Sequence, residues 1–198
     1  MNVKLWACLA VIFSFFPNFD SSAEEVDKTT YIFGMDTRWL SVENGKFEVF
    51  VFDQVKDGCW TNSGAVKTAV ELELNRSGYE LAGDDEHASN AVFLTSLGFF
   101  QSGICVATYS FEIYTGDTVR FYSGEHGVLS LYRSQLWEDS GVLAGGKSKM
   151  NSGLKDSYVN MTQEFLVNVA KQKKNVAREI IEKSTGSERS FWENYNFE

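Results

Sequence analysis

The spacing of apolar residues near the end of the chain constrains the fold more than any other feature. The positions that recur at three- and four-residue steps are Leu154, Tyr158, Met161, Phe165, Val169, Val176 and Ile180. This period predicts an amphipathic helix that runs to about Lys183. At a rise of 1.5 Å per residue it would be about 45 Å long. Such a helix needs a sheet to pack on, and it either breaks between Lys171 and Asn175 or projects beyond the domain.

The residues before this helix alternate with the two-residue period of strands. Lys46–Val55 carries apolar residues on both of its faces, which indicates an interior strand that is covered on two sides or by a second copy. Cys105–Ile113 alternates between apolar and polar residues, as a half-exposed antiparallel strand does. Further strands are predicted at Tyr31–Phe33, Trp39–Val42, Tyr79–Ala82, Ala91–Phe100, Thr118–Tyr122 and Val128–Trp137.

The connections between these strands complete the predicted fold. Residues 64–77 form an amphipathic pattern that Gly78 can end. Asn44–Gly45 and Gly116–Asp117 predict turns, and residues 138–152 predict a loop rich in Gly and Ser. The fold class is therefore α+β: a mostly antiparallel sheet with one helix after the first long strand and a long C-terminal helix packed on the sheet.

This layout is similar to that of small periplasmic α+β domains, such as the N-terminal domain of the Tol-system β-propeller protein. In those domains the first helix also ends in a small residue followed by Gly and a short strand, as residues 75–79 do here. The resemblance implies a fold alone and assigns no site residues.

The N-terminus predicts an export signal. Lys4 precedes the apolar run Leu5–Phe16, Pro17 breaks that run, and small residues at 21–23 suit a signal peptidase. The alternative is a membrane anchor, although a spanning helix needs about 20 apolar residues. We therefore expect a signal peptide at 1–23, a single domain at 24–183, an aromatic-rich tail at 184–198, and no membrane span after cleavage. The expected location is the periplasm or the outside of the cell.

Two cysteines remain after that cleavage, Cys59 and Cys105. An even number of cysteines in an exported chain predicts a disulfide. The alternative is a pair of buried thiols, because neither residue has metal-ligand spacing to another Cys or His.

The chain carries a formal net charge of −9. The acidic excess lies between residues 24 and 150, whereas charges balance after residue 151. An acidic chain repels nucleic acid and anionic membranes, so we expect neither as a partner. A protein partner fits better, and self-association through the C-terminal helix is one form of it. The basic residues Lys171, Lys173, Lys174 and Arg178 could dock the acidic half of a second copy.

The two histidines, His87 and His126, each lie beside acidic residues. A histidine with carboxylates can bind a metal or act as an acid–base pair. These residues support an alternative function, a secreted hydrolase or metal-dependent enzyme. The other interpretation is two solvated loops.

Residues 141–148 match the spacing of a phosphate-binding loop through Gly141, Gly146, Lys147 and Ser148. The preceding segment is polar, the following helix is interrupted by residues 151–153, and no later strand could supply a Mg²⁺ ligand. We interpret the match as accidental and expect no cofactor.

The tail carries four aromatic residues that could anchor a partner, Phe191, Trp192, Tyr195 and Phe197. They could instead fold back onto the domain. With no convincing catalytic set in the chain, the sequence predicts a non-catalytic protein-interaction or assembly module of the bacterial envelope.

Overall fold

Four strands and four helices make up the part of the chain that the structure describes. The computed structural model describes residues 38–42, 45–83, 85–123 and 126–194, with the backbone alone at 40–41, 117–123 and 126–132. In chain order the elements are α1 Arg38–Ser41, β1 Phe47–Val55, α2 Ser63–Arg76, β2 Asn90–Gln101, β3 Ile104–Ser123, β4 His126–Gly145, α3 Lys147–Lys183 and α4 Gly186–Asn194. The predicted signal peptide and the predicted strand Tyr31–Phe33 lie outside the described residues.

The strands form one sheet in the order β1–β2–β3–β4. Strand β1 is parallel to β2, because α2 carries the chain back between them, and the other two pairings are antiparallel. Strands β2 and β3 are joined by a tight turn, in which Gly103 has a positive φ of 85°. The predicted α+β fold is confirmed, with β1–β2 as the parallel exception in a mostly antiparallel sheet.

The core lies between one face of the sheet and the helices α1, α2 and α3. Phe165 of α3 occupies its centre, with its ring 6.4 Å from the rings of Phe47, Phe111, Trp39 and Trp137. Burying one such side chain contributes about 1.5–3 kcal/mol. This face is the one that the alternation in Cys105–Ile113 predicts to be buried.

A buried tyrosine fixes the position of α3 along the sheet. The Tyr158 hydroxyl lies 2.8 Å from Ser96 Oγ and donates to the Thr95 carbonyl oxygen at 2.7 Å. Burial raises the pKa of Tyr158 far above its ordinary value, so the hydroxyl stays neutral.

The predicted disulfide is present. Cys59, in the loop before α2, is bonded to Cys105 at the start of β3, with their Cα atoms 5.8 Å apart. Both side chains are fully buried. The bond therefore fastens the loop that leads into α2 to the middle of the sheet.

The prediction of a strand at Trp39–Val42 is wrong, because residues 38–41 form the short helix α1. Trp39 and Val42 are three residues apart, so a helical turn lets both side chains enter the core. The turn predicted at Asn44–Gly45 therefore does not join two strands of a hairpin, since the segment before it is α1 and β1 pairs with β2 and at one position with Leu81. That single bridge is all that forms of the strand predicted at Tyr79–Ala82.

The loop predicted at residues 138–152 is also wrong. Strand β4 continues to Gly145, and α3 begins at Lys147 and is unbroken to Lys183. Gly141 is tolerated within the strand because it leaves room for the Tyr109 side chain, where a Cβ would overlap the hydroxyl. Among the described residues no helix is long and apolar enough to cross a membrane.

The turn predicted at Gly116–Asp117 does not form, and β3 continues to Ser123. Continued pairing with β4 satisfies the backbone there and outweighs the local turn preference. Beyond Thr115, the last residue of β3 that pairs with β2, the two strands pair only with each other. Residues 116–123 and 126–133 thus form a two-stranded ribbon about 26 Å long.

Candidate functional site

The structure does not bring the two histidines together. His87 lies in the exposed loop before β2, whereas His126 begins β4 at the far end of the ribbon, where only its backbone is described. About 26 Å of strand separates His126 from the other end of the ribbon, where β3 leaves its pairing with β2. Within the described residues no group of three or more His, Cys, Asp or Glu side chains could hold a metal ion.

Glu86, the acidic residue next to His87, forms hydrogen bonds and an ion pair that hold the loop in place. Both carboxylate oxygens of Glu86 lie within 2.8 Å of Lys46 Nζ, and one of them accepts the Gly83 backbone N–H. That N–H bond, followed by the Lys46 charge, holds the pKa of Glu86 below its ordinary value. Glu86 therefore ties this loop to the start of β1.

The segment that resembles a phosphate-binding loop is not a loop. Gly141–Gly145 belongs to β4 and pairs with Cys105–Tyr109 of β3. Lys147 starts α3, donates to the Asp57 carbonyl oxygen, and lies 4.8 Å from the centre of the Phe100 ring. The backbone N–H groups of a strand point to its neighbour, so they do not form the cradle that phosphates require.

The aromatic tail begins on the last helix. Helix α4 packs against α3, and on it Phe191 is 58% exposed while Trp192 is half-buried. Their rings meet edge to face at 4.9 Å. Tyr195 and Phe197 lie outside the described residues. Of the two predicted contact residues that the structure describes, Phe191 is thus the more exposed.

A groove of about 670 Å³ lies along the C-terminal half of α3. Its lining combines an apolar floor of Ala177 and Ile181 with the cations Lys173, Lys174 and Arg178. Arg189 of α4 also lines it and is paired with Glu193 at 2.8 Å. Basic charge thus gathers at the end of α3.

The sheet has a second face that none of the described helices covers, since the helices that touch the sheet do so from the core side. We call it the open face. The register assigns to it the aromatic residues Phe50, Phe52, Phe93, Phe99 and Tyr114, the aliphatic residues Leu97, Ile104, Val106 and Val142, and the acidic residues Glu48, Glu112 and Glu138. Five of the exposed large apolar residues of the described chain belong to it: Phe52, Leu97, Phe99, Ile104 and Val142.

Aromatic rings are layered across one end of the open face. The Phe93 ring stacks with Phe50 at 5.2 Å and Phe52 at 5.9 Å, and it meets Tyr114 edge to face at 5.4 Å. Cross-strand aromatic pairs of this kind stabilise a sheet by roughly 0.2–1 kcal/mol each. They also leave a rigid, partly exposed apolar surface.

Two carboxylates lie opposite each other beside these rings. Glu112 of β3 is in register with Glu138 of β4, and like charges in that arrangement repel. Glu112 accepts hydrogen bonds from Ser110 and Tyr114, and Glu138 accepts one from Gln135. The hydrogen bond to Glu112, then burial, raises the pKa of the Tyr114 hydroxyl.

The sequence gives part of this site in advance. The apolar residues on both sides of Lys46–Val55 already indicate that each face of β1 needs cover. The pairing of Glu112 with Glu138 was missed, because it depends on the register of β3 and β4, which shifts at a bulge between Ile113 and Tyr114. A scan against models of known protein families finds no match, and no curated protein is significantly similar in sequence.

Proposed function

We propose that this chain is an exported, non-catalytic protein-interaction or assembly module of the bacterial envelope. The apolar N-terminal run supports export, and so does the disulfide, because such bonds persist in the periplasm and outside the cell. The proposed site of action is therefore the periplasm or the cell exterior.

The observation that carries this proposal is the open face. Large apolar side chains on a soluble protein favour contact with another surface, and contiguous patches of them mark interaction sites. Leu97 and Val142 are exposed by 56% and 68%, and the stacked rings at the other end of the same face are held in place by their neighbours. A rigid surface loses little conformational entropy on binding.

The tail is proposed as a second contact. Phe191 presents an aromatic ring at the surface of α4, and aromatic side chains dominate the binding energy of many interfaces. Replacing Phe191 with Ser tests this contact separately from the open face.

The experiment compares binding by matched surface variants. The oxidised chain from Glu24 onward is tagged and incubated with envelope extract from its source, beside a Leu97→Ser/Val142→Ser variant and a Leu72→Ser control. Leu72 lies on α2 and is 45% exposed. All three positions are exposed, so each substitution should change stability by about 0.5 kcal/mol or less.

We expect a stoichiometric partner to bind the native chain and the Leu72→Ser control, and to be lost from the open-face variant. Equal recovery of that partner by all three proteins would contradict a role for the open face. Recovery of no partner by the native chain would count against the module function itself.

A further inference from the structure

The open face carries carboxylates beside stacked aromatic rings at one end and exposed aliphatic side chains at the other. Phe50, Phe93, Glu112 and Glu138 form a single row across all four strands. Neither glutamate forms an ion pair with a described residue. The next rows toward the other end bring in Leu97 and Val142. A surface that covers this face should therefore combine cations with an apolar group.

Helix α3 has that combination on its solvent side. Val167, Lys171, Lys174 and Arg178 follow one another at steps of four, three and four residues, so they share one side of the helix. We call this set the exposed stripe. All four side chains are exposed, and none of the three cations forms an ion pair with a described residue.

The two surfaces also agree in length. At 1.5 Å per residue, Val167 and Arg178 are about 16 Å apart along the helix. Along the sheet, four residues of strand separate the row of Leu97 and Val142 from the row of Glu112 and Glu138, which is about 13 Å. A helix laid along the strands can therefore place Val167 on the apolar end while its cations reach the carboxylates.

We propose that the open face binds the exposed stripe of a second copy of this chain. Within one chain the two surfaces cannot meet, because α3 packs on the opposite face of the same sheet. The arrangement places a helix on each side of the sheet, which is a common way to bury both faces. This inference rests on the proposed function and names the partner of the same open face.

A symmetric dimer through two open faces does not fit the charges. If the two-fold axis ran along the strands, Glu112 and Glu138 of one copy would approach the acidic end of the other, and like charges at an interface cost several kcal/mol. If the axis ran across the strands, the carboxylates of each copy would be covered by the apolar end of the other, and burying a charge without a partner is also costly. Contact between an open face and an exposed stripe joins two different surfaces. Such head-to-tail contacts produce rings or chains of copies rather than closed pairs.

The test measures oligomeric state by sedimentation velocity, using the full chain exported from a bacterial host so that its disulfide forms. The sheet variant carries Glu48→Lys and Glu138→Lys, and the helix variant carries Lys174→Glu and Arg178→Glu. A control variant carries Lys149→Glu and Lys155→Glu, the same charge change at exposed positions near the start of α3.

We expect the native chain and the control to form oligomers that grow with concentration. Raising the salt from 50 to 500 mM should weaken this association about tenfold, because exposed charges are screened. The sheet variant and the helix variant should each be monomeric alone. Their equimolar mixture should associate again, because the native contact and the charge-exchanged contact can then alternate between the two variants. A chain with all four substitutions should associate again, with its charges exchanged.

Two results would overturn the inference. One is a native chain that stays monomeric over the whole concentration range, and the other is a control that dissociates as much as the helix variant. In a further outcome, the native chain is monomeric while the open-face variant no longer binds the partner found in the envelope extract. That combination would show that the open face is not occupied by a second copy. It would leave the proposed function in place with a different cationic partner.

Discussion

Removing the Cys59–Cys105 bond should lower the free energy of unfolding by about 4 kcal/mol. The two residues are 46 positions apart, and closing a loop of that size in the unfolded chain costs about 4 kcal/mol of chain entropy at 25 °C. Domains of this size are stable by about 5–15 kcal/mol, so the bond accounts for a substantial share. The corresponding drop in melting temperature is about 8–16 °C.

The assay is urea unfolding followed by circular dichroism, on the oxidised native chain and on a Cys59→Ala/Cys105→Ala variant. Both sulfur atoms are buried, so alanine avoids placing an unpaired hydroxyl in the core, which serine would do. Reductant serves as the internal control. It should bring the native chain down close to the stability of the variant and leave the variant unchanged.

A variant within about 1 kcal/mol of the oxidised native chain would refute the reasoning, because the loop-closure entropy would then be absent from the unfolded state. Reductant that lowers the stability of both proteins equally would also contradict it. The bond would in that case not be the group on which the reductant acts.

The remaining predictions concern four single substitutions. The substitution Gly98→Ala should lower the free energy of unfolding in urea by about 1–3 kcal/mol, because the added Cβ would lie 2.5 Å from a backbone oxygen of β3. The substitution Gly64→Ala should raise the same free energy by about 0.5–1 kcal/mol, because the added Cβ meets open space in α2. Phe165→Ala should cost about 3–5 kcal/mol in the same assay, and a loss below 1 kcal/mol would contradict its central place in the core. Glu112→Gln should lower the pKa of Tyr114 toward its ordinary value, measured by ultraviolet absorbance during alkaline titration. Because the pKa of Tyr114 is raised in the folded chain, its contribution to stability is present below the ordinary tyrosine pKa and is lost as the pH rises through the raised one. The Glu112→Gln chain should therefore lose less stability at high pH, and an unchanged Tyr114 titration would show that the hydrogen bond is not its cause.

The elements that could be predicted from the sequence are those whose local pattern agrees with their final environment. Helix α2 and the apolar stripe of α3 follow a helical period, and β2 is a mostly apolar segment that follows a polar loop. The disulfide follows from two cysteines in a chain expected to be exported. In each of these cases no distant neighbour was needed to interpret the pattern.

The errors arose where tertiary contacts outweigh local preference. Gly141 suggested a loop and Gly153 an interruption of the helix, yet Gly141 lies in β4 against Tyr109, and Gly153 lies in α3, where a Cβ would be 2.5 Å from Leu143. The glycines are therefore explained by side chains that pack close to them. No sequence pattern near residue 141 indicates those partners.

Part of the candidate site could likewise be predicted from the sequence, and part could not. Apolar residues on both sides of Lys46–Val55 predict an interior strand, whereas β1 lies at an edge of the described sheet, with its second side-chain row on the open face. The row of Glu112 and Glu138 depends on the register of β3 and β4, which includes a bulge between Ile113 and Tyr114. A bulge moves every later pair by one residue, so the sequence alone could not place these two carboxylates together.

The most direct test of the central claim is photo-crosslinking through the open face in the living source cell. A photoreactive phenylalanine analogue replaces Leu97 of the full chain in one strain and the similarly exposed Leu72 of α2 in a control strain. We predict one discrete adduct at position 97, formed with a second copy or with another envelope protein, and no adduct of that size at position 72. No adduct at position 97, or the same adducts at both positions, would contradict the claim that the open face is a protein-binding surface.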